Sequence, residues 1–103
     1  MTVNRERLPN RRASESFAIE CERIGYAVTI SRFRDGRLAE IFLSSAKAGS
    51  ASDAAAKDAA VVCSIALQHG VPAAAIRHAL LRNVQGAASS PLGVALDQIA
   101  DQA

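Results

Sequence analysis

Residues 50–70 read SASDAAAKDAAVVCSIALQHG, and the fold turns on how this stretch is read. Ser50 and Asp53 have the spacing of a capping box at a helix start. Gly70 has the place of a left-handed residue just past a helix end, with the apolar Val71 behind it. One long helix is therefore expected between them. Residues 59–67 carry no charge on any side of that helix, and a helix that is apolar all round is expected to be covered all round. The stretch should then be the centre of a single core, with strands before it and shorter helices after it.

Upstream, apolar residues recur with period two, as in a half-buried strand. Phe17, Ile19 and Cys21 alternate with Ala18, Glu20 and Glu22. After a turn at residues 23–25, Tyr26, Val28 and Ile30 alternate with Ala27, Thr29 and Ser31. Asp35-Gly36 is the pair that a type I′ hairpin turn asks for, because both central positions take positive φ. A third strand runs from Arg37 to about Ser44. A two-residue loop at Asp35-Gly36 sets Arg34 opposite Arg37, Phe33 opposite Leu38, Ile30 opposite Ile41 and Val28 opposite Leu43, and opposed residues share a face. One face then holds Tyr26, Val28, Ile30, Ile41 and Leu43, ready for the helices. The other holds Ala27, Thr29, Ser31 and Glu40 together with Phe33, Leu38 and Phe42, which is too apolar to be left to water. The N-terminal arm or a second copy is expected over it, and the open sheet edges also need cover. The expectation is a homodimer with Phe33, Leu38 and Phe42 at its interface.

Downstream, Pro72 suits the first turn of a second helix. Ile76, Leu80 and Val84 would form its apolar stripe, with Arg77, His78 and Arg82 pointing away. Residues 85–89 read as a loop. Ser90 caps and Pro91 opens a last helix, with Leu92, Leu96 and Ile99 on its buried side. The architecture expected is α+β: an antiparallel three-stranded meander, with room for a fourth strand from the N-terminal arm, followed by three helices packed on one face. Residues 1–13, polar and Arg-rich with a proline, read as a flexible arm, and residues 14–103 as one domain.

At 103 residues, half of them apolar, the chain is long enough for one modest core. It has no apolar tract able to cross a membrane and no secretory signal in its first residues. Cys21 and Cys63 lack CxxC spacing, so reduced thiols and a cytoplasmic location are expected. The net charge of +2 is placed unevenly: Arg5, Arg7, Arg11 and Arg12 crowd the start, and Arg32, Arg34 and Arg37 crowd one turn. Ten of the twelve cations are arginine, the better bidentate partner of phosphate or carboxylate. Glu6, Glu15, Glu20 and Glu22 are near enough in sequence to neutralise much of this.

Three stretches invite a chemical reading, each beside a plainer one. The SSAKAGS loop ahead of the long helix, with Lys47, Gly49 and Ser50, could hold a phosphate on free helix-start N–H groups. The spacing of a Walker A loop is absent and Asp53 would repel an anion, so a simply capped helix is the plainer account. At the hairpin tip, Arg32, Arg34 and Arg37 surround Phe33 and could meet a phosphate or, with Arg5, Arg7, Arg11 and Arg12, a nucleic acid. Strand alternation puts Phe33 opposite Arg32 and Arg34, which favours a solubilising turn. His69 stands at a helix end and His78 beside Arg77, but no Ser/His/Asp or Cys/His set and no metal spacing can be assembled. No catalytic residue, metal or cofactor is expected.

Three stretches carry a family resemblance: LPNRRASESF (8–17), DGRLAEIFLSSAKAGS (35–50) and SIALQHGVP (64–72). In this order and spacing the chain resembles, over about residues 8–100, the small TSCPD-type domain near the C-terminus of cobalamin-dependent ribonucleotide reductases, which also occurs as a free-standing bacterial protein. The family's Thr-Ser-Cys-Pro-Asp run corresponds here to Ala88-Ser89-Ser90-Pro91-Leu92, so the cysteine and aspartate are missing. Members with extra cysteines are thought to bind a metal, and with Ser90 in that place the resemblance implies no metal here. It implies an accessory or regulatory module linked to deoxyribonucleotide synthesis, not the reductase chemistry, which needs a large barrel. The chain therefore reads as a non-catalytic binding module that contacts a protein partner, such as the large reductase subunit, or a phosphate-bearing ligand such as a nucleotide. The alternative is a nucleic-acid-binding protein using the arginine arm and hairpin tip.

Overall fold

The computed structural model describes residues 4–8 and 13–101. Three antiparallel strands, β1 (Ser14–Cys21), β2 (Ile24–Arg32) and β3 (Leu38–Ser45), lie in the order β1-β2-β3. Three helices follow, α1 (Ala51–Gln68), α2 (Ala73–Ala79) and α3 (Pro91–Asp101). This is the α+β meander-then-helices architecture expected, and no fourth strand occurs among the described residues. Residues 4–8 are coil instead, held to the end of α1 where the Glu6 N–H donates to the Gln68 carbonyl at 2.7 Å and Arg5 Nε to Gln68 Oε1 at 2.5 Å. No described helix is long and apolar enough to cross a membrane.

The first hairpin turns one residue earlier than expected. Cys21 pairs with Ile24, so the loop is Glu22-Arg23, with φ of 53° and 66°. A two-residue loop of this hand suits the twist of the strands, but positive φ costs an L side chain roughly 1–2 kcal/mol per residue. Glu22→Asn with Arg23→Gly should therefore raise stability by about 1 kcal/mol. A urea midpoint that moves up at unchanged m-value is the expected reading; a midpoint that falls would show that these two side chains themselves hold the turn.

The second hairpin keeps the expected pairs Val28↔Leu43 and Ile30↔Ile41 but not the expected tip. Gly36 N–H donates to the Phe33 carbonyl at 2.9 Å, Phe33 N–H donates to the Arg37 carbonyl at 2.8 Å, and Gly36 has φ of 94°. The loop is thus Arg34-Asp35-Gly36, a turn closed by a left-handed glycine. The register shifts past Ser31, and Arg32 pairs with Leu38, so the extra residue taken up by the tip is balanced by a bulge at Ala39. Arg34 does not face Arg37, nor Phe33 Leu38. The bulge also re-aims Leu38, which joins the core on the helix side.

That core places Val28, Ile30 and Ile41 against Ala56, Ala60, Cys63 and Leu67 of α1 and Ala95, Leu96 and Ile99 of α3. α1 packs chiefly on β3, α3 on β1, and α2 on α3. Both ends of α1 are as the sequence indicates. Ser50 Oγ accepts the Asp53 N–H at 3.1 Å; at the other end Gly70 N–H reaches the Leu67 carbonyl and Val71 N–H the Ala66 carbonyl, each at 3.1 Å. With φ of 92° at Gly70 this is a Schellman motif.

α1 is not covered all round, however. It runs antiparallel to β3 along the outer edge of the sheet and satisfies that edge with side chains. Asp53 Oδ1 accepts the Ser45 N–H at 2.9 Å. Ser64 Oγ accepts the Ile41 N–H at 2.9 Å and donates to the Ile41 carbonyl at 3.0 Å. Gln68 Nε2 donates to the Ala39 carbonyl at 3.1 Å. The lengths match: fifteen helical steps from Asp53 to Gln68 and six strand steps from Ala39 to Ser45 each span about 20 Å. An edge that would otherwise template another strand is thereby closed. The opposite side of α1 faces solvent, with Val61, Val62 and Ile65 exposed at 49%, 67% and 40%.

α2 is shorter than its apolar stripe suggests. Leu80 leaves it with extended backbone, and Arg82 bridges to Ala88 around a turn with the same bonding as the hairpin tip: Gly86 N–H to the Asn83 carbonyl, Asn83 N–H to the Ala87 carbonyl, and φ of 85° at Gly86. Each turn is braced by the arginine before it, Arg32 Nη1 to the Gly36 carbonyl and Arg82 Nη1 to the Gly86 carbonyl. Val84 is consequently exposed rather than part of a stripe. Arg77 and Arg82 do not point away but clasp Asp97 of α3, at 2.7 and 2.6 Å. Ser90 Oγ accepts the Gly93 N–H at 3.2 Å, capping α3 as expected.

Candidate functional site

The loop at residues 45–50 gathers Lys47, Gly49 and Ser50 in front of α1, but the N–H groups of Ser45, Lys47 and Gly49 are taken within it. Asp53, 2% exposed, accepts the N–H groups of Ser45 and Gly49 at 2.9 and 3.1 Å, and Lys57 Nζ lies 3.0 Å from its Oδ2. The Ser45 N–H, then the Gly49 N–H, then Lys57 hold this carboxyl down at about 2. The Lys47 N–H is taken by Ser45 Oγ, and Ser50 Oγ donates to the Lys47 carbonyl. The loop already contains its anion, so a phosphate arriving there would meet a carboxylate that has nowhere to go.

At the hairpin tip a hollow of about 350 Å³ is lined by Glu6, Arg7, Leu8, Phe33, Arg34, Asp35 and Arg37. Arg37 is gripped inside it. Its Nε lies 2.7 Å from Asp35 Oδ2, its Nη2 lies 3.2 Å from both Glu6 oxygens, and its guanidinium covers the Phe33 ring at 4.6 Å. The Arg37 N–H and then its side chain hold the Asp35 carboxyl below its ordinary value. Arg32 is engaged with the Gly36 carbonyl and lies 3.6 Å from Glu15. Only Arg34 and Arg7 stand in this hollow, both exposed, without a carboxylate partner among the described residues. Arg5 is held by Gln68. Arg11 and Arg12 lie outside the described residues.

Of the three apolar residues expected at an interface, Leu38 is in the core and Phe33 is buried beneath Arg37. Phe42 alone is half exposed, on the sheet face away from the helices. The larger apolar surface is the outer side of α1, which sequence reasoning assigned to the interior. One signal would have located it. Asp53, Ser64 and Gln68 fall within about 60° of one another on a helical wheel of 100° per residue. A polar stripe that narrow can be turned inward, and Val62, about 150° from its middle, then faces out, with Ile65 and Val61 on the flank.

The remaining reactive side chains stand apart. His69 is the C-cap of α1, its Nδ1 2.9 Å from the Ile65 carbonyl, and His78 is exposed on α2. Cys63 is buried in α1, and that burial pushes its thiol up to about 11. Among the described residues no three His, Cys, Asp or Glu side chains gather as a metal site.

The family model of the TSCPD domain matches residues 4–102, essentially the whole chain, and the chain belongs to that family. No curated protein and no solved structure matches it.

Proposed function

We propose that this TSCPD-family chain is a non-catalytic accessory module that binds a protein partner through the outer face of α1. The partner suggested by its resemblance is the large chain of a cobalamin-dependent ribonucleotide reductase. The observation that carries the proposal is the exposure of Val61, Val62 and Ile65 side by side on a helix without a charge from residue 59 to 67. Contiguous apolar surface of this kind marks interaction sites, and each of these half-exposed side chains offers about 1 kcal/mol when covered. The phosphate reading of the helix start is weakened by Asp53, whose carboxylate already occupies the Ser45 and Gly49 N–H groups of the loop and would repel an anion there.

Such a contact is held by apolar burial and should survive high salt. With the purified large chain, binding should be similar at low and high salt. Val61→Asp with Val62→Asp should reduce it at least tenfold while the circular dichroism spectrum is unchanged. Sedimentation of the chain alone adds a control: a dimer that the same pair of substitutions dissociates would make a second copy the occupant. The exposed Arg7 and Arg34 favour a second reading, an anionic ligand or nucleic acid at the hairpin tip. Retention on DNA or RNA that falls steeply with salt, and is lost with Arg7→Ala and Arg34→Ala, would replace the first reading with this one.

A further inference from the structure

A hollow of about 450 Å³ opens between the β1–β2 turn, the first half of α1 and the start of α3. It is lined by neither the outer valines of α1 nor the arginines of the hairpin tip. Its walls are mostly apolar, with Ile24 on one side, Leu92 on another, and Ala55, Ala56 and Ala59 along α1. The alanines provide surface without bulk, which leaves the space open.

Tyr26 lines this hollow and is only 5% exposed, yet its hydroxyl has no hydrogen-bond partner among the described residues. Among those residues every side-chain nitrogen or oxygen fully cut off from solvent does have a partner. The Tyr26 hydroxyl is therefore reachable, and the space it reaches is the hollow. A phenol held this deep with its one polar atom unpaired among the described residues is a ready hydrogen-bonding group for something that enters. Glu22 is the only charged residue of the lining among the described residues, so an anion gains nothing there. The Cys21 thiol, directed at the Ser89 carbonyl at 3.9 Å, adds a neutral wall, since burial and then the Glu22 charge raise its pKa.

We infer that this hollow is a binding site for a small, uncharged, largely apolar compound that exchanges one hydrogen bond with the Tyr26 hydroxyl. A volume of a few hundred Å³, apolar walls and one or two placed polar groups are the ordinary make-up of such sites. The inference does not depend on the partner proposed for α1.

Indole is a suitable probe, titrated into the full-length ¹⁵N-labelled chain. Saturable amide shifts are expected at Ile24, Tyr26, Ala55, Ala59 and Leu92, with indole-3-carboxylate binding more weakly than indole. Tyr26→Phe should weaken indole by about 2- to 10-fold, the worth of one neutral hydrogen bond. Ala59→Leu should fill the hollow and abolish the shifts while the rest of the spectrum stays in place. If that variant does not fold, Ala55→Leu, at an exposed position, serves the same purpose. Shifts that do not saturate, that fall elsewhere, or that persist when the hollow is filled would overturn the site. Unchanged affinity in Tyr26→Phe would overturn the hydrogen bond.

Discussion

Ser64→Ala is expected to destabilise the fold by about 2–4 kcal/mol, although it removes a single oxygen. That oxygen serves both the N–H and the carbonyl of Ile41, a residue with no exposed surface. Losing it leaves a donor and an acceptor on the outer edge of β3 without partners, and each such buried group costs about 1–3 kcal/mol. Alanine is a better helix former than serine by a few tenths of a kcal/mol, which offsets little of this. For a domain of this size the melting temperature should fall by more than about 8 °C. Val62→Ala, two residues away on the exposed side, should stay within about 0.5 kcal/mol. A Ser64→Ala protein as stable as the parent would mean that water reaches the β3 edge and that α1 does not close it.

Asp53→Asn should be more damaging still at neutral pH and nearly harmless in acid. The carboxylate takes N–H groups on both oxygens, from Ser45 on one and Gly49 on the other. An amide offers one acceptor and turns its NH₂ toward the second donor, so one backbone N–H is lost and faces another donor. In the fold this carboxyl sits at about 2 against an ordinary 3.8. The unfolded chain therefore binds the proton more readily, and the stability that Asp53 contributes is complete above the ordinary carboxylate range. It drains away as pH falls from about 4 toward 2. The gap in melting temperature between the parent and Asp53→Asn should accordingly be constant from pH 6 to 8 and narrow below about pH 4. Asp97, held low by Arg82 and then Arg77, loses its contribution in the same direction, so the variant keeps a reduced acid limb rather than none. Identical acid limbs in parent and variant would contradict the placement of Asp53.

Features with a local cause were legible in the sequence. Ser50 and Asp53, Gly70 and Val71, and Ser90 and Pro91 mark helix ends through bonds made within a few residues, and all three ends are where their chemistry puts them. The pairing of Val28 with Leu43 and Ile30 with Ile41, expected from a two-residue loop, holds because the bulge at Ala39 offsets the third residue of the loop. Features decided at a distance were not legible. The bulge at Ala39 depends on how the tip closes, and it moved Leu38 from one face of the sheet to the other. The orientation of α1 depends on three polar side chains finding the edge of β3, a partner that no helical wheel contains. Arg77 and Arg82 looked solvated because Asp97, the residue they clasp, lies 20 and 15 positions further on. The same gap concealed the exposed apolar side of α1, since apolar residues 59–67 read as core while their polar neighbours are the side that packs.

Amide hydrogen exchange at Ile41 and Ser45 tests the edge-closing role of α1 most directly. Their N–H groups point out of the sheet and are protected only if Ser64 and Asp53 receive them. Exchange as slow as that of the core amides, with Ile41 selectively accelerated in Ser64→Ala, is the predicted result. Exchange at Ile41 and Ser45 as fast as at an open strand edge would contradict it, and would leave the exposed valines of α1 without the packing that turns them outward.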